Sequence, residues 1–381
     1  MKVVFCQPSS VKRAASGPER QTVMVATALK VRGYEVKIGI ILFSPVMRAE
    51  ETTLGILARD AGLHVAALYM PQRFNLRACV RAFRDFVSEL GVDVVCLQSY
   101  RANIVGALAS YAPTVALVAG WTGQNWKVRI YEWIEKILLK RHSVVAIVSP
   151  HQREIVLRYS VTSHQIQYIP TAIDVDGIPP AYERHSLREQ IGIEGYASIA
   201  GIIGRLSVEK GHRYALEAFH ELLQERTQVC LLIVGEGRER PVLEKYASRI
   251  GISRHVHFLG ERADARQIIG ALDLMILPSL TEGIPNVILE AFAYKTPVVA
   301  TAVGGVLELV KDSETGWLVP RRNPQALAQA IREALSNPEE ARRRAENAYR
   351  HLLANFTVEK QVDKWEQALQ TAVENWRIKR R

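Results

Sequence analysis

Two glutamates, Glu282 and Glu290, stand in the run Ser279-Leu280-Thr281-Glu282-Gly283-Ile284-Pro285-Asn286-Val287-Ile288-Leu289-Glu290-Ala291, on either side of what reads as the first turn of a helix. Proline suits the first helical position because its missing N–H would have no partner there, so the helix is predicted to begin at Ile284 or Pro285. Glu282 then falls in the approach loop. The N–H groups of Asn286 and Val287 point out of that end with the positive end of the helix dipole, a seat for a diphosphate. Glu290 lies about one and a half turns inside; at ~1.5 Å of rise per residue the two carboxylates are roughly 10 Å apart. That is too far to share a proton and suits gripping two parts of one elongated ligand, such as a sugar and a ribose. A plainer reading stands beside it: acidic residues near helix N-termini complement the dipole, and Gly-Ile-Pro is ordinary turn chemistry.

A second constellation, Gly204-Arg205-Leu206-Ser207-Val208-Glu209-Lys210-Gly211, follows the strand-like run Ile199–Ile203 and precedes a helical pattern over Tyr214–Leu223. A strand-end loop with Arg205 and Lys210 close in sequence, and glycines that let the backbone approach, can neutralise a departing diphosphate. The alternative is a basic loop at a surface. Gly235-Glu236-Gly237 also closes a strand but does not complete a G-x-G-x-x-G fingerprint, which leaves a close-approach turn or a plain strand-to-helix turn. Gly17-Pro18-Glu19-Arg20 lies after the first strand in a long polar loop whose amides could face a phosphate or an acceptor. Asp174-Val175-Asp176 has a metal-type D-x-D spacing, yet it falls between the two halves of the chain, away from any strand end. No H-E-x-x-H, G-x-S-x-G or G-x-x-x-x-G-K-[ST] motif is present, so hydrolase and P-loop readings lose their support.

The elements that must position these residues alternate. Short β-branched runs at 3–6, 36–41, 65–68, 94–97, 115–118 and 144–148 are separated by helical patterns, and the scheme resumes at 198–203, 229–234, 256–259, 274–277 and 298–300 before helical sequence from Pro324. Such alternation predicts α/β architecture with two doubly wound, Rossmann-like parallel-sheet domains facing across a cleft. The length of 381 residues agrees with two domains. The connecting segment is placed near 170–195, around Pro179-Pro180. The domains are expected at 1–172 and 173–356, with an amphipathic segment from 357 onward, carrying Trp365 and Trp376, that packs back on the first.

Composition is globular, with 48% hydrophobic and 23% charged residues. Cys6, Cys79, Cys96 and Cys230 are scattered, which reads as buried thiols in a reducing compartment. No apolar run is long enough to span a bilayer and no leader-like segment opens the chain, so a cytoplasmic protein is expected. Of the net charge of +10, residues 1–184 carry +8, from 22 Lys+Arg against 14 Asp+Glu. That basic half favours an anionic partner, including peripheral association with the inner membrane surface; nucleic acid is disfavoured because no aromatic-basic module accompanies the charge. The run Trp126-Lys127-Val128-Arg129-Ile130-Tyr131-Glu132-Trp133-Ile134-Glu135-Lys136-Ile137-Leu138-Leu139-Lys140-Arg141 reads as an amphipathic helix. It could lie on a membrane, but Ile130, Trp133, Ile134 and Ile137 are expected to form a core stripe with a basic face outward.

Together these residues resemble glycosyltransferase family 4, retaining enzymes of GT-B architecture. The likeness rests on the Glu-x7-Glu pair Glu282 and Glu290, the G-R-hydrophobic-x-x-x-K-G loop Gly204 to Gly211 and the G-x-G turn Gly235 to Gly237, in that family's order along the chain. It extends over nearly the whole chain, including Trp121-Thr122-Gly123-Gln124-Asn125-Trp126-Lys127. The resemblance implies transfer of a hexosyl group from a UDP-, GDP- or other nucleoside-diphosphate sugar to a hydroxyl of a glycan, lipid-linked or small-molecule acceptor. Catalytic roles would fall to Arg205 and Lys210 at the diphosphate and Glu282 at the sugar. Glu290 would hold the ribose, with Gly17, Gly283, Ile284, Asn286 and Val287 completing donor binding. No metal and no cofactor are expected, because the two cations and the helix N-terminus take over the charge role. Two departures are visible: Ala119-Gly120-Trp121 replaces a frequent His-Gly-Trp, and Thr171-Ala172 replaces a frequent Asn-Gly. The first of them, Ala119, keeps open a GT-B protein that binds a nucleotide-sugar with weakened turnover. A GT-B sugar-nucleotide epimerase or a phosphorylase is a further alternative; the full set of donor motifs argues against the epimerase, and a phosphorylase is expected to be larger and to carry a cofactor-binding lysine that no motif here identifies.

Overall fold

A computed structural model describes residues 1–11, 16–44, 46–71, 75–118, 126–225 and 228–380. Among them the chain divides into two compact units, one formed by Met1–Ala172 with Val358–Arg381 and the other by Ile173–Thr357.

The first unit is built on a seven-stranded parallel sheet. Its strands are β1 (Lys2–Pro8), β2 (Glu35–Leu42), β3 (His64–Tyr69), β4 (Val94–Leu97), β5 (Thr114–Val118), β6 (Val144–Ile147) and β7 (Ile166–Tyr168), in the order β3-β2-β1-β4-β5-β6-β7. Adjacent residues of β1 face opposite cores: Val3 and Phe5 join one apolar cluster, Val4 and Cys6 another, as a parallel sheet covered on both faces requires. The C-terminal helix Val358–Arg380 belongs to this unit. It buries Val362, Trp365, Ala368, Leu369 and Ala372 at helical spacing, and Trp365 meets Phe5 edge-on with centroids 5.2 Å apart. All four cysteines are free and buried, and burial pushes the Cys6 thiol up to about 12.

The second unit carries a six-stranded parallel sheet, β8 (Ser198–Ile203), β9 (Val229–Val234), β10 (Val256–Gly260), β11 (Leu274–Leu277), β12 (Val298–Thr301) and β13 (Trp317–Val319), in the order β10-β9-β8-β11-β12-β13. The strand order reverses between β8 and β11, which pair directly. Such a reversal opens a crevice at the carboxyl ends of the two strands, because their following loops leave toward opposite faces of the sheet.

Several expectations need correction. Strands β7 and β13 were absent from the sequence reading because each is only three residues long and sits at a sheet edge. The segment 170–195 is not a bare connection: Arg184–Ile191 is a helix whose Leu187 is fully buried in the second unit, and Tyr182 Oη donates to Asp264 at 2.7 Å. No helix among the described residues is long and apolar enough to cross a membrane.

Candidate functional site

The loops after β8 and β11 meet at the reversal point of the second sheet. Gly211 adopts φ +67°, and a Cβ there would stand 2.1 Å from the Pro278 carbonyl oxygen, so only glycine lets the two loops touch. Leu280 N–H donates to the Glu209 carbonyl at 2.8 Å across the same seam. On this backbone frame Lys210 Nζ lies 2.6 Å from Glu282 Oε1, and Ser279 Oγ donates to the same oxygen at 2.6 Å. Ser279 is fully buried and its carbonyl accepts from Thr301 Oγ1 of β12 at 2.5 Å. The Glu282 side chain is 9% exposed, yet its Oε2 has no partner among the described residues.

The loop carrying Glu282 is also held from below. A Cβ on Gly304 would lie 2.0 Å from the Glu282 carbonyl oxygen and one on Gly305 would lie 1.9 Å from that of Gly283, so the turn after β12 presses backbone against backbone. The helix that follows spans Asn286–Ala293. Pro285 caps it from an extended conformation and is not its first residue, one position later than expected. Ile288 N–H bonds the Pro285 carbonyl at 3.1 Å, while the N–H groups of Asn286 and Val287 have no partner among the described residues. The helix is anchored by buried Ile288, Leu289, Ala291 and Phe292. Glu290 faces the other way and receives Arg266 Nε on Oε1 at 2.8 Å, its side chain 16% exposed.

Arg205 differs from Lys210 in being free to swing. Its side chain is 66% exposed, with only a 3.4 Å approach to Glu209. The Gly235–Gly237 turn packs directly on the Arg205 loop, since Leu206 N–H donates to Glu236 O at 2.9 Å and Glu239 N–H donates to Leu206 O at 3.2 Å. This decides for the close-approach turn. Thus Arg205, Lys210, Glu282, Gly283, Ile284, Asn286, Val287 and Glu290 all come from two loops and one helix start of the second unit. Gly17 lies in the first unit and is not in a loop: it opens the helix Gly17–Val31, behind Ser16, whose N–H and hydroxyl both reach the Glu19 carboxylate. Ala119 to Asn125 lie outside the described residues. Ala172 is fastened by Gln21, whose Nε2 donates to its carbonyl at 2.5 Å. Asp174 accepts from Gly177 N–H at 3.1 Å, which makes it a turn residue, and no cluster of three or more metal-type ligands occurs among the described residues.

Chemically, an ammonium held by one carboxylate, an exposed guanidinium and two open helix-start amides are groups that can each bind an anion. Two carboxylates with one unoccupied oxygen each can accept hydroxyl donors beside it.

Comparison with known proteins places both units among glycosyltransferase-like sequences. Residues 183–351 match the family model "Glycosyl transferases group 1" and residues 16–172 match "Glycosyl transferase 4-like domain". Each unit thus matches a glycosyltransferase family model, and the two parallel sheets match the fold of GT-B structures. It is 35% identical over 204 residues to a D-inositol 3-phosphate glycosyltransferase of Corynebacterium urealyticum, spanning 51% of this chain and 48% of that protein. It is 25% identical to an Escherichia coli UDP-Gal:alpha-D-GlcNAc-diphosphoundecaprenol alpha-1,3-galactosyltransferase, over 71% of this chain and 73% of the relative. The match to the first of these thus spans about half of that relative's length. Among solved structures, Anabaena HepE in complex with UDP shares the fold with a TM-score of 0.83 at 24% identity, over 97% of this chain and 100% of the other.

Four residues around the candidate site escaped the sequence reading. Arg266 comes from the helix Ala265–Ala271 and has no motif of its own. Gly304-Gly305 directly after a β-run was a readable signal of close approach. His212, at the start of the helix His212–Leu222, is 2% exposed with neither ring nitrogen partnered among the described residues. Burial, reinforced by the Lys210 charge, brings its pKa down to about 4, so it is neutral.

Proposed function

We propose that the chain is a retaining, metal-independent glycosyltransferase of family 4 that moves a hexosyl group from a nucleoside-diphosphate sugar to a hydroxyl acceptor. The observation that carries this reading is the Lys210–Glu282 pair at 2.6 Å, on a loop that runs within four residues into a helix start whose Asn286 and Val287 amides are open. In this reading the second unit holds the donor and the first the acceptor. Lys210 and the two amides bind the diphosphate, Arg205 closes over it, Oε2 of Glu282 takes a sugar hydroxyl, and Oε2 of Glu290 takes a ribose hydroxyl. Gly283 and Ile284 offer backbone contacts to the sugar.

The bond between the anomeric carbon and the diphosphate oxygen breaks with its electron pair going to the diphosphate. The acceptor oxygen attacks the oxocarbenium-like carbon from the same face, and the acceptor proton passes to the departing phosphate oxygen, which retains configuration. Arg205 and Lys210 meet the charge that grows on the leaving group; a donor already in place, as Lys210 is, is worth about 2.7–4 kcal/mol. The name of one relative, the UDP-Gal:alpha-D-GlcNAc-diphosphoundecaprenol alpha-1,3-galactosyltransferase, supports both a nucleotide-sugar donor and a lipid-linked acceptor.

The test is release of nucleoside diphosphate from UDP- and GDP-sugars, with and without acceptors, in the presence of EDTA. Acceptor-dependent release that survives the chelator, with an α-linked product from an α-linked donor, is expected. Tight donor binding without release in any mixture would leave the weakened binder as the correct description, and loss of release in EDTA would remove the metal-independent mechanism.

A further inference from the structure

The helix Trp126–Leu138 of the first unit is turned inside out relative to its expected orientation. Trp126, Ile130, Trp133 and Ile137 recur at intervals of four, three and four residues, which places them on one stripe, and they are 68%, 47%, 58% and 37% exposed. The acids face inward: Glu132 and Glu135 are buried, and Glu135 Oε1 accepts from Asn103 Nδ2 at 2.6 Å. Tyr131 stacks on Tyr100 with centroids 5.8 Å apart, which fixes the same face toward the neighbouring helix Tyr100–Ala109. Around the outward stripe the exposed charges are Arg129, Lys140 and Arg141, and no acid between 126 and 141 is exposed. A surface helix that hides both carboxylates and presents two indoles and two isoleucines among cations reverses the normal partition of a water-facing helix.

We propose that this face docks on an anionic phospholipid surface, with the helix lying in the plane of the interface. The occupant is chosen by charge and shape. Among the described residues of this segment the exposed charges are all cations, indoles prefer the headgroup level, and a stripe one helix wide suits a bilayer interface, whereas a stable protein interface draws on roughly 20–30 residues a side. The cations attract the surface and the apolar stripe enters the headgroup–acyl boundary, so binding needs both and weakens with salt. The inference stands apart from the transferase reading, because vesicle binding needs neither donor nor acceptor.

Co-sedimentation of the full chain with phosphatidylcholine vesicles, with and without phosphatidylglycerol, tests it. Binding is expected only with the anionic lipid, reduced at high salt. The double variant Ile130→Ser/Trp133→Ser should bind about tenfold or more weakly, and Arg129→Gln/Lys140→Gln/Arg141→Gln should lose a similar factor together with most of the salt dependence. Val242→Ser, at a residue 60% exposed on the second unit, should bind as wild type. As a readout on the unmutated protein, brominated phosphatidylglycerol vesicles should quench tryptophan fluorescence. Absence of quenching, equal binding to uncharged vesicles, or wild-type binding by the double variant would each overturn the proposal. So would a wild-type dimer that the double variant converts to monomer, since a second copy would then cover the stripe.

Discussion

Replacing Gly305 with alanine isolates the frame of the site from its chemistry. Gly305 has an ordinary φ of −72°, so alanine is conformationally acceptable there and the only obstacle is space. The added Cβ would stand 1.9 Å from the Gly283 carbonyl oxygen and 2.8 Å from Ile284 Cγ1. Reaching even 3.0 Å from that oxygen demands a displacement of about 1.1 Å, and neither neighbour is a flexible side-chain end that can step aside cheaply. Because Gly283 lies between Glu282 and the helix start at Asn286, the shift is delivered to the carboxylate and the open amides together. A displacement near 1 Å of positioning groups costs on the order of 10²-fold in turnover, while overpacking costs about 1–3 kcal/mol of stability. Gly195→Ala is the control: it lies in the same unit with no atom within 4 Å of the added carbon. The assay is kcat and KM for nucleoside diphosphate release beside urea unfolding of both variants. If Gly305→Ala turns over and unfolds like Gly195→Ala, the turn after β12 does not set the site and the reasoning fails.

Arg205→Ala should leave the urea midpoint unchanged, because the side chain is 66% exposed, yet lower kcat about 10²–10³-fold; loss of stability without loss of turnover would contradict its role at the leaving group. Arg266→Ala removes the Nε donor of Glu290, and KM for the donor should rise about tenfold, as for Glu290→Ala, with a smaller change in kcat. Equal kcat loss in both would argue that Glu290 acts on the reacting sugar. His212 titrates near 6.5 when unfolded and is brought down to about 4 when folded, so the unfolded chain binds the extra proton between these values. Its contribution is complete above pH 6.5 and is lost as pH falls toward 4, up to about 3 kcal/mol in all. His212→Leu should flatten the dependence of urea stability on pH in that window; identical slopes for variant and wild type would show the imidazole to be solvated.

Much of this arrangement was legible because the residues that build it carry distinctive types at strand ends. The Gly204–Gly211 and Ser279–Ala291 runs announced themselves by glycine, proline and paired charges, and the alternation of β-branched runs with helical patterns foretold both sheets. What stayed hidden depended on partners remote in sequence. Glu290 finds Arg266 from another helix, and the Lys210–Glu282 pair spans 72 positions. The helix Trp126–Leu138 shows the difference most sharply. Its period declared an amphipathic helix, but period alone does not say which face turns inward, and Asn103 and Tyr100, the residues that decide it, lie on a separate helix. Gly17 could have been placed correctly: Ser16-Gly17-Pro18-Glu19 is a capping-box sequence with proline in the first turn, so a helix start was written where a loop was expected.

The hydrogen-bond capacity left over at the site explains why these groups suit a ligand better than a purely structural role. Glu282 accepts both of its bonds on Oε1, and Glu290 receives Arg266 on Oε1, so each carboxylate is oriented through one oxygen and open at the other. Lys210 donates one of three ammonium protons. A structural ion pair with a side chain this buried would be expected to use its remaining lone pairs and protons within the protein, since unfilled capacity away from water is costly. Here the open valences belong to Lys210, Glu282 and the amides of Asn286 and Val287, on the loops and helix start that follow the strands at the reversal point of the second sheet. A phosphate and a sugar hydroxyl could enter without breaking any existing bond, so binding would cost little rearrangement and the charge response of Lys210 would already be in position when the leaving group departs.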